Sequence, residues 1–317
     1  MIMTVVHDYV GVLAHVAHDL LYYDSDNAAC SPRSEIGGAG AFAAVGSSIA
    51  AADDTKTLLV AGVGHLQQPW FKEWCSERQI ESSGLFDIPI SVPVTEVRYR
   101  SSEERTETPL LGMEHFIAAT PLPQRIPKGT KLDSVYLFHN TDPNYWNTVL
   151  PYLRKDGLFS LWEIAADACF PRNLRSVRSI CESISLLTIN RYEAQNLAGS
   201  TKFHALVETL NCLTVVHSGA DDLEIWDMAQ WHRVPVCPAT VVDPTGGGNS
   251  FSGALAARLR KNGSELHEIV RACAFASAAA AEVISVFGSP VVTDSLRFRV
   301  RSNAEEVFRA WRRSYES

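Results

Sequence analysis

Three consecutive glycines lie between an apolar run and a segment of small residues in the last quarter of the sequence. The stretch reads VVDPTGGGNSFSGA and covers residues 241–254. Glycine peptides can turn several N–H groups toward one point, and the start of a following helix adds a positive electrostatic potential. The pattern therefore predicts a cradle for an anion such as phosphate. A bare glycine triplet would equally fit a flexible turn, and no Gly-Lys-Ser/Thr follows to make a Walker A loop.

A second glycine-rich segment lies near the N-terminus, where residues 37–44 read GGAGAFAA. Its Gly-x-Gly-x-x-Ala spacing is by itself a weak indication of dinucleotide binding. We reject that interpretation, because residues 31–35 do not form an apolar strand before it. In addition, the run at 57–61 ends at Gly62 without the acidic residue that would bind a ribose. Spacing alone therefore assigns no chemistry to this segment.

Polar residues follow several of the apolar runs. Asp19 follows the run at 12–17, and an aspartate at a strand end could anchor a polar ligand or cap the next turn. Asn190 and Glu193 have the spacing Asn-x-x-Glu, which is typical both of a helix cap with an acidic first turn and of oxygen ligands for Mg²⁺. The ten histidines form no His-x-x-x-His pair with a third ligand, so the sequence does not support a zinc site.

Short β-branched runs alternate along the chain with longer segments of helical period. The predicted strands are residues 57–61, 134–138, 158–162, 186–189 and 213–217. The predicted helices are residues 41–51, 143–153, 194–197, 250–259 and 266–286. This alternation is typical of βα units, whose strands form a parallel sheet buried on both faces.

Residues 88–100 interrupt this rhythm. Val92, Val94, Val97 and Tyr99 alternate roughly with polar residues there. Such alternation is typical of antiparallel strands with one face toward solvent. The segment could form a lid over a ligand or an ordinary edge hairpin, and the periodicity does not separate these two interpretations.

The composition is that of an ordinary folded protein. The 317 residues are 46% apolar and 20% charged, which is enough to bury one large core in one domain or two smaller ones. The net charge of −8 and the scattered basic residues argue against a nucleic-acid partner. We find neither a signal peptide nor an apolar run long enough to span a bilayer. Seven cysteines without a Cys-x-x-Cys pair favour reduced thiols in a cytoplasmic protein.

The glycine stretch closely resembles the signature of the PfkB (ribokinase-like) family of small-molecule kinases, Asp-Thr-Thr-Gly-Ala-Gly-Asp. The matching residues are Asp243, Thr245, Gly246 and Gly248, the mild departures are Pro244 and Gly247, and Asn249 replaces the final aspartate. Other segments resemble further family motifs in the family's order. The resemblance implies a single α/β domain over residues 1–317, with a doubly wound, mostly parallel sheet, helices on both faces and a small β lid at about 86–112.

The resemblance also implies a site for ATP and Mg²⁺. In this family the glycine peptides hold the transferred phosphate and the final aspartate takes the proton of the acceptor hydroxyl. The implied catalytic positions are Asp243, Gly246, Gly247, Gly248 and Asn249. The implied nucleotide contacts are Asn190, Ser218, Gly219, Thr245, Gly246 and Gly248; Mg²⁺ would lie at Asn190 and Glu193, and substrate at Asp19, Gly37, Gly38 and Phe42. Family members sometimes pair lid strands in a homodimer, which the residues here do not decide.

Two positions depart from the family in ways that bear on activity. An amide at Asn249 can orient a hydroxyl but cannot accept its proton at neutral pH, and loss of a general base typically lowers the rate by about 10² to 10⁴. Phe42 stands where the family commonly has an asparagine that contacts sugar hydroxyls. Its presence argues against a simple sugar as the substrate.

The sequence therefore leaves three functions open. The first is a slow ATP-dependent kinase of a small polyol, sugar or nucleoside-like metabolite, in which a neighbour such as His18 could serve as base. The second is a nucleotide-binding pseudokinase, and the third is a fold recruited to a non-kinase reaction. Trp162 and Glu163 also resemble a Trp-Glu pair in the inositol-kinase-like branch of the family.

Overall fold

The structure is a computed structural model that describes residues 8–23, 32–99, 105–155, 157–259 and 265–315. The strands are β1 (Asp8–Leu13), β2 (Ala17–Tyr23), β3 (Arg33–Gly37), β4 (Thr55–Gly64), β5 (Ile80–Glu81), β6 (Leu85–Ile88), β7 (Val94–Tyr99), β8 (Arg105–Pro109), β9 (Leu132–His139), β10 (Phe159–Ile164), β11 (Leu186–Asn190), β12 (Leu213–Ser218), β13 (Asp221–Trp226) and β14 (Trp231–Val234). The α-helices are α1 (Ala39–Ala50), α2 (Gln68–Glu77), α3 (Met113–Ala119), α4 (Pro143–Leu153), α5 (Leu174–Cys181), α6 (Arg191–Ala198), α7 (Phe203–Val207), α8 (Gly247–Arg258), α9 (Leu266–Ile284) and α10 (Asp294–Tyr315).

Ten strands form the central sheet, in the order β14-β13-β12-β11-β10-β9-β1-β4-β5, with β6 paired to β4 as well. The strands from β12 across to β5 are parallel, and β13 and β14 add an antiparallel edge. In a sheet of this kind the carboxyl ends of the parallel strands form the crevice in which ligands bind. The residues that end β10, β11 and β12 therefore lie where a site is expected.

Apolar side chains cover both faces of the central sheet. Successive residues of a strand point to opposite faces, so Tyr136 of β9 packs in one cluster while Val135 and Leu137 pack in the other. The first cluster includes buried residues of α1, α8, α9 and α10, and the second includes those of α4 to α7. Burial on both faces explains why these strands read as continuous apolar runs in the sequence.

Helices α1 and α8 pack together at two glycines. A Cβ added at Gly46 would overlap the carbonyl oxygen of Ser250, and one added at Gly253 would overlap that of Ala43. Glycine alone lets the two backbones come this close. Because each helix begins at a glycine-rich segment, this contact brings the two segments side by side.

A separate sheet of four strands has the order β3-β2-β7-β8. Strands β2 and β7 are parallel, and the other two pairs are antiparallel. Strands β7 and β8 fall within the segment predicted as a lid, but β6 joins the central sheet instead. The remaining strands, β2 and β3, come from the region before residue 38, where no lid strand was expected. We call these four strands the second sheet.

The α/β class and the mostly parallel sheet are confirmed. Each predicted strand and helix is present, and α4 has the predicted bounds of 143–153. The other elements have shifted ends; α8, for example, begins at Gly247 rather than at residue 250. One placement is wrong: Asp19 does not end the first strand, because β1 ends at Leu13 and Asp19 lies inside β2. Among the helices of the described residues, none is long and apolar enough to cross a membrane.

Candidate active site

Residues 244–249, here called the glycine loop, precede and begin α8 at the carboxyl ends of three central strands. Its Asn249 contacts Glu163 of β10. A Cβ added at Gly248 would lie 3.1 Å from Cε1 of His217, which is in β12 and pairs with Asn190 of β11. The strand order thus gathers residues that are far apart in sequence around the start of one helix.

Gly246 sets the conformation of the loop. Its φ of 74° is left-handed, and it is the residue that caps α8. A Cβ at this position would overlap the ring of Phe42, which is 4% exposed and covers the loop. Both the dihedral angle and the lack of space therefore require glycine here.

Two peptide N–H groups at the start of α8 have no acceptor among the described residues. The N–H of Gly247 donates to Pro244 at 3.3 Å, and that of Ser250 donates to Gly246 at 2.8 Å. Those of Gly248 and Asn249 lie between them with no such partner. Because these groups stand at the positive end of a helix dipole, they form the kind of cradle that holds a phosphate oxygen.

Buried Asp243, which directly precedes the glycine loop, anchors it by hydrogen bonds. Its side chain is 1% exposed, and Oδ1 accepts the Thr245 N–H at 2.9 Å and the Tyr99 hydroxyl at 2.8 Å. The Tyr99 hydroxyl also contacts the side-chain oxygen of Thr245. Since Tyr99 ends β7, the second sheet is tied directly to the glycine loop.

Asn249 lies against a buried acid. Its Nδ2 donates to Oε1 of Glu163 at 3.0 Å and lies 3.4 Å from the hydroxyl oxygen of Tyr136. The Tyr136 hydroxyl donates to the other oxygen of Glu163, Oε2, at 2.7 Å. Three side chains from β9, β10 and α8 thus form one hydrogen-bonded triangle.

Burial shifts the pKa values of the ionisable side chains in and beside this triangle. Burial raises the pKa of Glu163 above its ordinary value, although hydrogen bonds from Tyr136, Ser252 and Asn249 oppose that shift. Burial, followed by the charge and hydrogen bond of Glu163, raises the pKa of Tyr136, which keeps its hydroxyl a donor. Burial also lowers the pKa of His217 to about 4, so this ring is neutral at pH 7.

Asn190 and Glu193 form a capping box at the start of α6. The Asn190 Oδ1 accepts the Glu193 N–H at 2.8 Å, and Oε2 of Glu193 accepts the Asn190 N–H at 3.2 Å. Desolvation, with a smaller contribution from the Glu163 charge, raises the pKa of Glu193 to about 7. The cap that the sequence left as an alternative is therefore present, and the metal role stays a prediction.

The same residues fit a magnesium ion by their chemistry. Carboxylate and amide oxygens are the donors that Mg²⁺ prefers, and a cation would relieve the repulsion between Glu163 and Glu193. Oε1 of Glu193 is not used by the capping box. The part of the chain that the structure describes holds no group of three or more His, Cys, Asp or Glu side chains around one point, so water and phosphate would complete the coordination.

The predicted substrate residues gather around the start of α1. Asp19 is 5% exposed, and its carboxyl lies where a Cβ on Gly37 would be. Gly38 has a φ of 81° and packs on the chain between β1 and β2, where a Cβ would lie 2.9 Å from the Ala17 nitrogen. Phe42 is in the same helix but turns its ring to Gly246. Substrate contact by these residues stays a prediction.

The predicted nucleotide turn ends β12. Ser218 is its last residue, and Gly219, with a φ of 54°, begins the turn to β13. His18, considered as a substitute base, lies on β2, where it contacts Ser34 and packs edge-on to Trp70. Among the described residues its ring nitrogens make no hydrogen bond to Asn249.

The side chains that contact the glycine loop were not predicted from the sequence. Glu163 was noted only through its Trp-Glu pair, and Tyr136, His217 and Tyr99 were not assigned to the site. Tyr136, His217 and Tyr99 lie in runs that predict strands, and Glu163 directly follows such a run. A polar residue at a buried position of a strand is itself a sign of function. Their mutual contacts depend on strand order, which no local pattern reveals.

A model of the pfkB family of carbohydrate kinases matches residues 127–293, more than half of the chain and including the glycine loop. The chain belongs to the pfkB family. A comparison with curated protein sequences finds no match.

Solved structures of several kinases of small molecules share the fold of this pfkB-family chain. Aminoimidazole riboside kinase from Salmonella enterica, complexed with its riboside and an ATP analog, has a TM-score of 0.71 at 17% identity over 92% of this chain and 100% of that one. Fructokinase from Vibrio cholerae, with fructose, ADP and calcium bound, has a TM-score of 0.73 at 15% identity, over 96% of this chain and 98% of that one. Adenosine kinase from Sinorhizobium meliloti has a TM-score of 0.72 at 16% identity, over 95% of this chain and 99% of that one.

Proposed function

We propose that the protein transfers the γ-phosphoryl group of ATP to a hydroxyl of a small polyol, sugar or nucleoside-like metabolite, with Mg²⁺ as cofactor. The observation that carries this proposal is the pair of unpartnered N–H groups at Gly248 and Asn249, at the carboxyl ends of parallel strands. Membership of the pfkB family supports the reaction class, and the ligands named in the related structures support ATP and a hydroxyl acceptor.

The residues of the site divide the work of phosphoryl transfer, which depends mostly on positioning and on charge stabilisation. Gly248 and Asn249 would hold the transferred group by their N–H donors, and Asn190 and Glu193 would hold Mg²⁺, which neutralises phosphate charge. Asp19 would orient the acceptor. The acceptor oxygen forms the new bond to phosphorus, the bond to the leaving oxygen of ADP breaks with its electron pair, and the hydroxyl proton passes to a transferred phosphoryl oxygen or to water.

A nucleotide-binding protein without transfer is the second candidate. The observation that favours it is Asn249, an amide where a proton-accepting carboxylate is expected, so that the reaction would lack its general base. Such a protein would act through nucleotide-dependent binding of a partner.

Calorimetric titration with ATP and Mg²⁺, followed by a phosphate-transfer assay on pooled polyols, sugars and nucleosides, tests the proposal. We expect saturable binding and a phosphorylated product from at least one pool. Binding without any product would favour the second candidate, and a product without phosphate would indicate a recruited reaction. Absence of binding would contradict the proposal and would also exclude the nucleotide-binding second candidate.

A further inference from the structure

The hydrogen bonds of Asn249 point in one direction only. Both of its amide hydrogens face inward, because Nδ2 donates to Glu163 Oε1 at 3.0 Å and lies within 3.4 Å of the Tyr136 oxygen. The Tyr136 hydroxyl hydrogen is used by Glu163 Oε2, so its oxygen acts as an acceptor for Asn249. An ionised carboxylate has no hydrogen to donate. The opposite orientation of the amide would place two acceptors against each other.

The carbonyl oxygen of Asn249 is therefore held away from Glu163. Asn249 is partly exposed, and its Oδ1 has no donor among the described residues. The backbone N–H of the same residue belongs to the predicted phosphate cradle. An acceptor oxygen thus lies beside the cradle, which is the place of a hydroxyl that attacks the bound phosphoryl group.

We propose that Glu163 is a positioning residue for phosphoryl transfer: its carboxylate fixes the Asn249 amide so that Oδ1 accepts the hydrogen bond of the acceptor hydroxyl. The inference rests on the proposed kinase function. It assigns to two residues the task that the resemblance to the family gives to one aspartate, with the difference that Asn249 does not keep the proton. The hydroxyl oxygen bonds to phosphorus, ADP leaves with the electrons of the broken bond, and the proton goes to a transferred phosphoryl oxygen.

The groups that face Glu163 support an ionised state in the working enzyme. Tyr136 of β9 and Asn249 of α8 donate to it, and the hydroxyl of Ser252 in α8 acts to lower its pKa. His217 of β12 is near but neutral, as its depressed pKa requires. Glu193 of α6 is the facing charge of the same sign, which bound Mg²⁺ would offset. Thr188 of β11 meets the cluster only through the hydroxyl of Ser252, at 3.0 Å.

This arrangement predicts what happens when the family's aspartate is restored at position 249. In Asn249→Asp a second carboxylate would lie about a hydrogen-bond length from Glu163, and two such groups cannot both ionise. The single substitution should therefore lower the rate, although it supplies a general base. In the double variant Glu163→Gln, Asn249→Asp, the new amide at 163 donates to the new carboxylate at 249, and the pairing of donor with acceptor is restored.

Four proteins test the inference: the wild type, the two single variants and the double variant. We expect each single variant to lose about 10- to 100-fold in kcat while the Kd for Mg·ATP stays within about twofold. The double variant should regain at least the wild-type kcat. The probes are transfer to the active pool of hydroxyl compounds and hydrolysis of Mg·ATP, in which water is the acceptor. Glu305→Gln, an acid of α10 that pairs with Arg271, serves as the matched control.

A pH profile separates positioning from a purely structural role. Protonated Glu163 can donate to Oδ1 and let the amide turn, so the wild-type kcat should fall as pH decreases through the raised pKa of Glu163. That acid limb should be absent in Glu163→Gln. Full kcat in Glu163→Gln, or an inactive double variant beside an active wild type, would overturn the inference and leave the kinase function standing. If none of the four proteins binds Mg·ATP or transfers phosphate, the proposed function fails and the inference fails with it.

Discussion

The glycine loop and the segment at residues 37–42 both begin a helix with glycine, but they differ in what surrounds that glycine. At the glycine loop the groups that face outward are peptide N–H groups, and the anchor Asp243 matches the family signature. At residues 37–42 the backbone packs on Asp19 and on the chain between β1 and β2. The side chain at position 42 is a buried ring that covers Gly246.

The difference follows from what each part of the site must recognise. Binding of phosphate by N–H groups depends on backbone conformation, so correctly spaced glycines are sufficient. Recognition of an acceptor depends on polar side chains that match its hydroxyls. Phe42 and Asn249 alter that second part. We therefore expect variants of the glycines in the glycine loop to change binding of Mg·ATP, and variants of the acceptor side, which includes Asn249, to change kcat with the acceptor.

The largest effect is expected for Gly246→Ala, which tests the contact between the two segments. Alanine must adopt a φ near 74° and must also displace the Phe42 ring, so we expect the free energy of unfolding to fall by about 3 kcal/mol or more and Mg·ATP binding to be lost. Urea denaturation and calorimetry measure the two effects.

Gly129→Ala is the matched control, because Gly129 has a similar φ of 85° and a Cβ there would meet nothing within 4 Å. The free energy of unfolding of Gly129→Ala should fall by about 1 kcal/mol, which measures the strain of the backbone alone. Adding Phe42→Ala to Gly246→Ala should recover part of the additional loss. Equal losses in Gly246→Ala and Gly129→Ala would mean that Phe42 does not constrain the loop.

A smaller effect is expected for Tyr99→Phe, which separates the second sheet from the glycine loop. The change removes a 2.8 Å hydrogen bond to buried Asp243 but leaves the Thr245 N–H in place. We expect a loss of about 2 kcal/mol in the free energy of unfolding and a several-fold higher Kd for Mg·ATP. Tyr22→Phe is the control, since the Tyr22 hydroxyl of the same sheet has no hydrogen-bond partner among the described residues. An unchanged Kd in Tyr99→Phe would show that α8 alone holds the loop.

Elements with strong local patterns could be predicted from the sequence. The five central strands were predicted because burial on both faces makes them continuous apolar runs. The glycine loop was predicted because the left-handed N-cap at Gly246 requires glycine, which is recognisable in the sequence. The second sheet was only partly found. Half of it comes from β2 and β3, and the pairing of β2 with β7 joins segments about 75 residues apart.

The chemistry of Asn249 could not be predicted in the same way. Its substitution for aspartate is visible in the motif, but its meaning depends on Glu163, which lies 86 positions earlier in the sequence. Parallel strands joined by helices place such residues together through sheet order rather than through local spacing. The same holds for Tyr99 and Asp243, which are 144 positions apart.

The smallest effect is expected from Glu193→Gln and concerns the boundary between the two parts of the site. The pKa of Glu193 is raised from 4.5 to about 7, so the folded state holds this proton more tightly than the unfolded state does. Its contribution to stability is complete below pH 4.5 and is lost as pH rises through 7. Glutamine keeps the capping box but does not titrate. Because Glu193 is partly exposed, we expect wild type to lose roughly 1 to 2 kcal/mol more than Glu193→Gln between pH 4.5 and 7.5, as measured by urea denaturation. Saturating Mg²⁺ should reduce that difference if Glu193 holds the ion, whereas an identical pH dependence with and without Mg²⁺ would leave this residue as a helix cap alone.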